Sequence, residues 1–217
     1  MTIPSLEFEQ VALATGPVVG VDEVGRGALA GPVCVGAVLV TSLATPPPGV
    51  ADSKVLTPAR RAALVHPLKA WAAAWGVGSA SAEEIDRWGL RVALALACDR
   101  ALAQLAIVPA TALIDGNLNL LRPPVAQQLG VEPPPPIRFA ELPVQTVIKG
   151  DARCASIAAA AIVAKEFRDA LMVSLDEEFP QYEWAGNKGY GSPGHLEALR
   201  RLGPSPLHRT SWNLPST

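Results

Sequence analysis

The sequence predicts an α/β fold, a mixed sheet with helices on both faces. Three apolar runs rich in valine and alanine come early, at 18–24, 33–40 and 74–80. Beyond residue 81, short apolar runs alternate with long Ala/Leu-rich stretches. Strands that come first together and then alternate with helices are the pattern of a mixed sheet covered on both sides. No internal repeat of useful period is present. The 217 residues suit one domain, 1–217, with roughly the last 40 residues, 180–217, as a helical appendage.

In chain order, residues 1–15 read as a loose leader with room for one short helix. The strands at 18–24 and 33–40 are joined by a short glycine-rich link, which makes them antiparallel neighbours. A proline-rich loop fills 41–50. Thr57 is a good N-cap and Pro58 a good first helical residue. The helix they open should run to about Leu64, where Pro67 interrupts it, and a second piece reaches Trp71. After the third strand, Ser81-Ala82-Glu83-Glu84 is a capping box. It opens a helix to about Leu105 that Gly89 should split. The fourth strand, 111–115, ends on Asp115-Gly116. Residues 117–141, with Pro123-Pro124 and Pro133 to Pro136, read as a surface excursion with a short helix near Val125–Leu129. A four-proline run fits neither a helix nor a central strand. The fifth strand is 144–148, and Lys149-Gly150-Asp151 leads into a helix from Ala155 to Leu175 dense enough in Ala, Ile and Val to need a buried face. Ser192-Pro193 opens a last helix through Arg201, stopped by Gly203-Pro204.

Composition bounds the partners. A formal net charge of −2 provides no global basic field, so any nucleic acid must be met by a local basic face. Cys34, Cys98 and Cys154 are odd in number and widely spaced, with no CxxC, and read as small buried hydrophobes in a reducing compartment. His66, His195 and His208 show no zinc-ligand spacing. The N-terminal residues lack a signal-peptide pattern. Gly31-Pro32 and Pro46 to Pro48 break the uncharged stretch from Ala28 to Ala51, so it is not a membrane span. A cytoplasmic protein is expected.

The chemistry centres on residues 17–36, where an apolar strand runs into Asp22-Glu23, then Gly25-Arg26-Gly27, then a second apolar strand. Carboxylates at the end of a buried strand are costly unless something pairs with them. Asp115 and Asp151 stand at comparable places, and adjacent strand ends in an α/β sheet converge on one edge. If the first and fourth strands are neighbours, Asp22 and Asp115 lie side by side and repel. Hard divalent cations with oxygen ligands, Mg²⁺ or Mn²⁺, remove that cost. Two such ions about 3.5–4 Å apart suit an in-line phosphoryl displacement. Consecutive strand residues point to opposite faces, so for Glu23 to share a cleft with Asp22 the chain must leave strand geometry near Glu23. Taken singly, each of these segments is an ordinary turn or helix start; it is their joint occurrence that carries the argument.

That joint pattern resembles the type 2 ribonucleases H, specifically bacterial ribonuclease HII. Val21-Asp22-Glu23-Val24-Gly25-Arg26-Gly27 is similar to the family's signature, and Asp52-Ser53-Lys54 with Leu56 to its second motif. Asp115-Gly116-Asn117 resembles the third. Lys149-Gly150-Asp151, Ser156 to Ala160 and Ala164-Lys165 with Arg168-Asp169 resemble the fourth. Asn187 to Ser192 with His195, and later His208-Arg209, resemble its C-terminal motifs. The resemblance spans residues 17 to 212. It implies a ribonuclease H-like mixed five-stranded sheet, three antiparallel strands and then parallel ones. It also implies an endonuclease that hydrolyses the RNA strand of RNA–DNA hybrids, leaves 5′-phosphates, and incises on the 5′ side of single ribonucleotides embedded in duplex DNA, in ribonucleotide removal and primer processing. Asp22, Glu23, Asp115 and Asp151 would be the catalytic, metal-binding residues. Gly25, Arg26 and Gly27 would read the 2′-OH, and Tyr190 would stack on the sugar after the ribonucleotide. Lys54, Lys165, Arg168 and Lys188 would touch phosphates. The protein would act as a monomer. Three departures stand out: 36 positions separate Asp115 from Asp151, with the proline-rich insertion 122–143 between them; Tyr182-Glu183-Trp184 replaces a usual Tyr-Gly; and Ser192 stands where Thr is common.

Three rivals predict different residues. Ribonuclease HIII, a hybrid nuclease without single-ribonucleotide incision, carries an N-terminal substrate-binding domain and a Glu as fourth carboxylate, where this chain has Asp151. A small-molecule phosphatase would need an Asp nucleophile and leave Gly25-Arg26-Gly27 without a role. A non-catalytic nucleic-acid-binding module would not need four carboxylates that repel phosphate.

Overall fold

The computed structural model describes residues 3–123 and 132–215. Five strands form one sheet: β1 Val18–Val24, β2 Val33–Val40, β3 Ala74–Ala80, β4 Thr111–Asp115 and β5 Val144–Val147. Their spatial order is β3-β2-β1-β4-β5. β1 to β3 pair antiparallel, while β4 lies parallel to β1 and β5 parallel to β4. The expected mixed α/β sheet is therefore present.

Helices cover both faces, and the apolar pattern shows why. Val19, Val21, Val35 and Ile114 bury against Leu94, Ala97 and Ala101 of α3 (Ala82–Leu102). Val38 on the opposite face meets Ile162 of α4 (Ala155–Glu178) and Leu68 of α2 (Pro58–Trp71). Each buried Val, Leu or Ile among them contributes about 1.5–3 kcal/mol by leaving water. β2 is buried at every residue, so it reads as a continuous apolar run rather than an alternating one. Gly20 in β1 has a specific task. A Cβ there would collide with Ser156 and Ile157 at the start of α4. The missing side chain lets α4 approach, and Asp151 just ahead of it comes close to the end of β1.

Four sequence expectations need correction. The leader is not loose: it forms α1 (Glu7–Ala12), and Ser5 pairs with the segment around Cys154. Buried Glu9 accepts hydrogen bonds from Ser156 N at 2.7 Å and Cys154 Sγ at 3.1 Å, so it satisfies an amide in the first turn of α4. Pro67 does not interrupt α2, which is continuous. Pro67 and Ala63, whose carbonyl loses its partner, are both exposed, while Leu64 and Leu68 hold the buried side. The excursion after β4 is not purely on the surface. Leu120 and Leu121 enter the core, and buried Asp99 accepts from Arg138 N and Phe139 N. α3 ends at Leu102, short of Leu105. Gly89 does split α3, with φ 79° and ψ 158°. The short helix expected near 125–129 lies outside the described residues.

At the C-terminal end, α5 (Trp184–Asn187) and α6 (Pro193–Leu202) gather Tyr182, Trp184 and Leu199 around Met172 of α4. Among the described residues, no helix is long and apolar enough to cross a membrane.

Candidate active site

Three carboxylates meet where β1 and β4 end. Val21 lies beside Ile114 in the parallel pairing, so Asp22 and Asp115 are neighbours across it. Beyond β5 the chain turns through Lys149, in left-handed geometry at φ 56°, into a single 3₁₀ turn, Gly150–Ala152, that presents Asp151. One oxygen of each of Asp22, Asp115 and Asp151 lies within 4.8 Å of the others. Backbone amides fix two of them: Glu23 N donates to Asp22 Oδ1 at 2.7 Å and Gly150 N to Asp115 Oδ1 at 2.6 Å. Lys54 Nζ donates to Asp151 Oδ2 at 3.0 Å.

The electrostatics fit a cation site. Burial first, then the charges of Glu23 and Asp115, push the Asp22 carboxyl well above the usual carboxylate range, although the Glu23 amide opposes this. Burial alone would lower the Lys54 ammonium, but Asp151, Asp22 and Asp52 outweigh it and raise its pKa. One ammonium does not balance three carboxylates. An all-oxygen, net negative cluster of this size suits a hard divalent ion.

Glu23 stands apart from this trio. β1 continues through Val24 and turns only at Gly25, contrary to the expected break at Glu23. Glu23 Oε1 pairs with Arg26 Nη1 at 2.9 Å, while its charge still bears on Asp22. It still lines a cavity of about 250 Å³ with Asp22, Ser53, Lys54, Lys165 and Tyr190.

Buried Arg209 holds the Gly25-Arg26-Gly27 turn, and buried Arg168 packs against Gly25 and holds the segment that follows. Arg209 donates to the carbonyls of Gly25 (2.7 Å), Arg26 (2.9 Å) and Gly31 (3.1 Å). Arg168 donates to those of Pro32 (2.9 Å), Lys188 (2.9 Å) and Ala30 (3.1 Å). Gly25 itself has φ 88°, and a Cβ there would strike the Arg168 guanidinium. This corrects the expectation for Arg168: it is fully buried and its donors serve backbone carbonyls, so it ties the segment after the turn to the Lys188 loop instead of meeting phosphate. Burial, then the charge of Arg168, lowers Arg209 to about 10.

The other expected contacts differ in placement. Lys165 lines the cavity and pairs with Asp169 at 2.7 Å. Lys188 directs its ammonium to the Ala185 carbonyl instead. Tyr190 is 37% exposed, with the Arg168 guanidinium 5.5 Å from its ring centre. Sequence reasoning missed Arg61. It donates to the carbonyls of Ser53 (3.1 Å) and Leu56 (2.9 Å) and to Glu166 (2.9 Å), and so fixes the loop carrying Lys54. Nothing in the sequence distinguishes Arg61 from Arg60 beside it, apart from its phase with buried Leu64 and Leu68.

A five-stranded mixed sheet with an acidic trio at its strand ends is the architecture of the ribonuclease H class. The structure of ribonuclease H2 from Pyrococcus horikoshii matches it with a TM-score of 0.68 and 28% identity, over 91% of this chain and 94% of that one. The family model for ribonuclease HII matches residues 19–214. Ribonuclease HII of Caulobacter vibrioides is 46% identical over 209 residues, covering 96% of this chain and 90% of that protein. Ribonuclease HII of Rhizorhabdus wittichii is 48% identical over 196 residues, covering 90% and 87%. The chain belongs to the ribonuclease HII family and is an endoribonuclease.

Proposed function

We propose that this endoribonuclease hydrolyses the RNA strand of RNA–DNA hybrids and incises on the 5′ side of single ribonucleotides within duplex DNA. The observation that carries the reading is that one small cavity is lined by Asp22 of the Asp22–Asp115–Asp151 cluster, by Glu23 and Val24 just ahead of the Gly25–Gly27 turn, and by Tyr190. Family membership supports the class of reaction.

Asp22, Asp115 and Asp151 would hold divalent metal, Mg²⁺ or Mn²⁺, with Glu23 as a further ligand reached by releasing Arg26. Such an ion supplies charge stabilisation and an activated water for phosphodiester hydrolysis. The protein's own part is positional. Amides of Glu23 and Gly150 orient two carboxylates before substrate arrives, and Lys54 offsets charge at the third. The backbone of Gly25–Gly27, held by Arg209, would approach the 2′-OH closely because two of its residues lack side chains. Tyr190 would stack on the following sugar, while Lys54 and Lys165 meet phosphate. Lys188 would have to swing from Ala185 to do the same. Residues 1–217 would serve as one catalytic domain working as a monomer, with 180–217 as an appendage that supports the turn. The hydrogen bonds that Leu29 N donates to the Gly189 carbonyl and Arg209 donates to the Gly25 carbonyl favour this.

The test is strand-cleavage mapping on duplex DNA containing one ribonucleotide, with Mg²⁺ or Mn²⁺. A single incision 5′ of the ribonucleotide is expected. Cleavage confined to continuous hybrid would reduce the reading to a hybrid nuclease.

A further inference from the structure

Two buried histidines lie behind Tyr190, and their hydrogen bonds admit one arrangement of protons. Ser205 N can only donate, and it lies 2.9 Å from His208 Nδ1. Ser205 Oγ lies 2.9 Å from the same nitrogen. In a neutral ring, His208 must then carry its proton on Nε2. That nitrogen is 2.9 Å from His195 Nε2, which must accept. Trp184 Nε1, another obligate donor, lies 3.3 Å from the same His195 Nε2 and imposes the same answer independently. His195 therefore carries its proton on Nδ1 and donates it to the Tyr190 carbonyl at 2.9 Å. The same carbonyl accepts from Ser192 N at 2.8 Å.

The surroundings keep both rings neutral. His195 and His208 are 0% and 1% exposed, enclosed by Tyr182 and Trp184. Burial lowers both pKa values, that of His208 to about 4. The charged group facing His195 is Glu183, which acts in the opposite sense without overcoming burial. A second proton on His195 would set two Nε2–H groups head to head, and one on His208 would set its Nδ1–H against the Ser205 amide.

We propose that His195 and His208 are positioning residues that, through a one-way relay from Ser205 to the Tyr190 carbonyl, set the Tyr190 ring at the cavity and with it the choice of substrate. This rests on the stacking reading of Tyr190. Neither histidine touches substrate. The relay separates the place of the ring from the exposed loop that bears it, and it operates while both imidazoles are uncharged.

Side-chain geometry supplies a discriminating pair of variants. Asn places an amide near the position of Nδ1, so His195→Asn keeps a donor for Tyr190 and loses the link to His208. Gln places its amide near Nε2, so His195→Gln keeps the link and loses the donor. The readout is the ratio of kcat/KM on a ribonucleotide–DNA junction to that on uniform RNA–DNA hybrid. His195→Gln should lower the ratio about five- to tenfold, the effect of one lost hydrogen bond, mainly through KM. His195→Asn should restore most of it, and His195→Gln should add nothing to Tyr190→Ala. ¹⁵N NMR of the unaltered full chain should show neutral rings of opposite tautomer, Nδ1–H for His195 and Nε2–H for His208. The same tautomer in both would overturn the relay. A ratio moved by Tyr190→Ala but unmoved by His195→Gln would overturn the positioning role alone. A ratio unmoved by Tyr190→Ala would overturn the stacking reading and this proposal together.

Discussion

Asp22 is held at a cost that function explains. It is buried beside Asp115 and Asp151, and its carboxyl resists ionisation. Asp22→Asn keeps its shape and removes the repulsion. In metal-free protein the variant should be more stable, by about 1–2 kcal/mol in chemical denaturation, while cleavage of RNA–DNA hybrid falls at least about a hundredfold. A variant that loses both stability and activity would point to a structural role. The buried arginines show the reverse balance. Arg209→Lys retains charge but cannot span the carbonyls of Gly25, Arg26 and Gly31. It should cost about 2–4 kcal/mol, read from the denaturation midpoint. Before the fold is known, an Arg that grips backbone looks like one that grips phosphate. That ambiguity is why Arg168 was misassigned, and its burial resolves it.

At the scale of elements, what was legible depended on whether the cause was local. The strands and the capping box at Ser81 were legible because short apolar runs, β-branching and turn residues lie within a few positions of one another. The acidic trio was half legible: strand ends suggested Asp22, Asp115 and Asp151, but the pairing of Glu23 with Arg26 that leaves it outside the trio gave no sequence signal. The docking of α1 on α4 was not legible, since Glu9 and Ser156 are far apart in the chain and Glu9 resembles any surface acid of a short helix. Glu9→Ala should therefore cost more than a surface change, about 1–3 kcal/mol, because it leaves the Ser156 amide buried and unpartnered. Hydrogen exchange should show the loss concentrated in residues 150–160. Uniform change across the sheet would argue against α1 as the brace of the Asp151 turn.

For the whole molecule, the balance of charge sets the response to acid. The His208 ring is held at about 4 by burial and by His195, below the ordinary 6.5 it regains on unfolding. The unfolded chain thus binds a proton that the folded one refuses. The associated stability is complete above about pH 6.5 and is lost as pH falls toward 4, by at most about 3 kcal/mol. Against His208→Gln, which cannot titrate, the unaltered protein should lose stability more steeply in that window; parallel curves would place the acid sensitivity elsewhere. The buried clusters divide the remaining work. The sheet and α3–α4 bring distant acids together, and the cluster around Trp184 supports the loop that bears Tyr190.

Asp22, Asp115 and Asp151 would together form one divalent-cation site. Calorimetric titration with Mn²⁺, run on the unaltered protein and on Asp115→Asn, tests it most directly. Saturable binding that weakens at least about tenfold in the variant is the predicted result. Superimposable isotherms from the two proteins would contradict it.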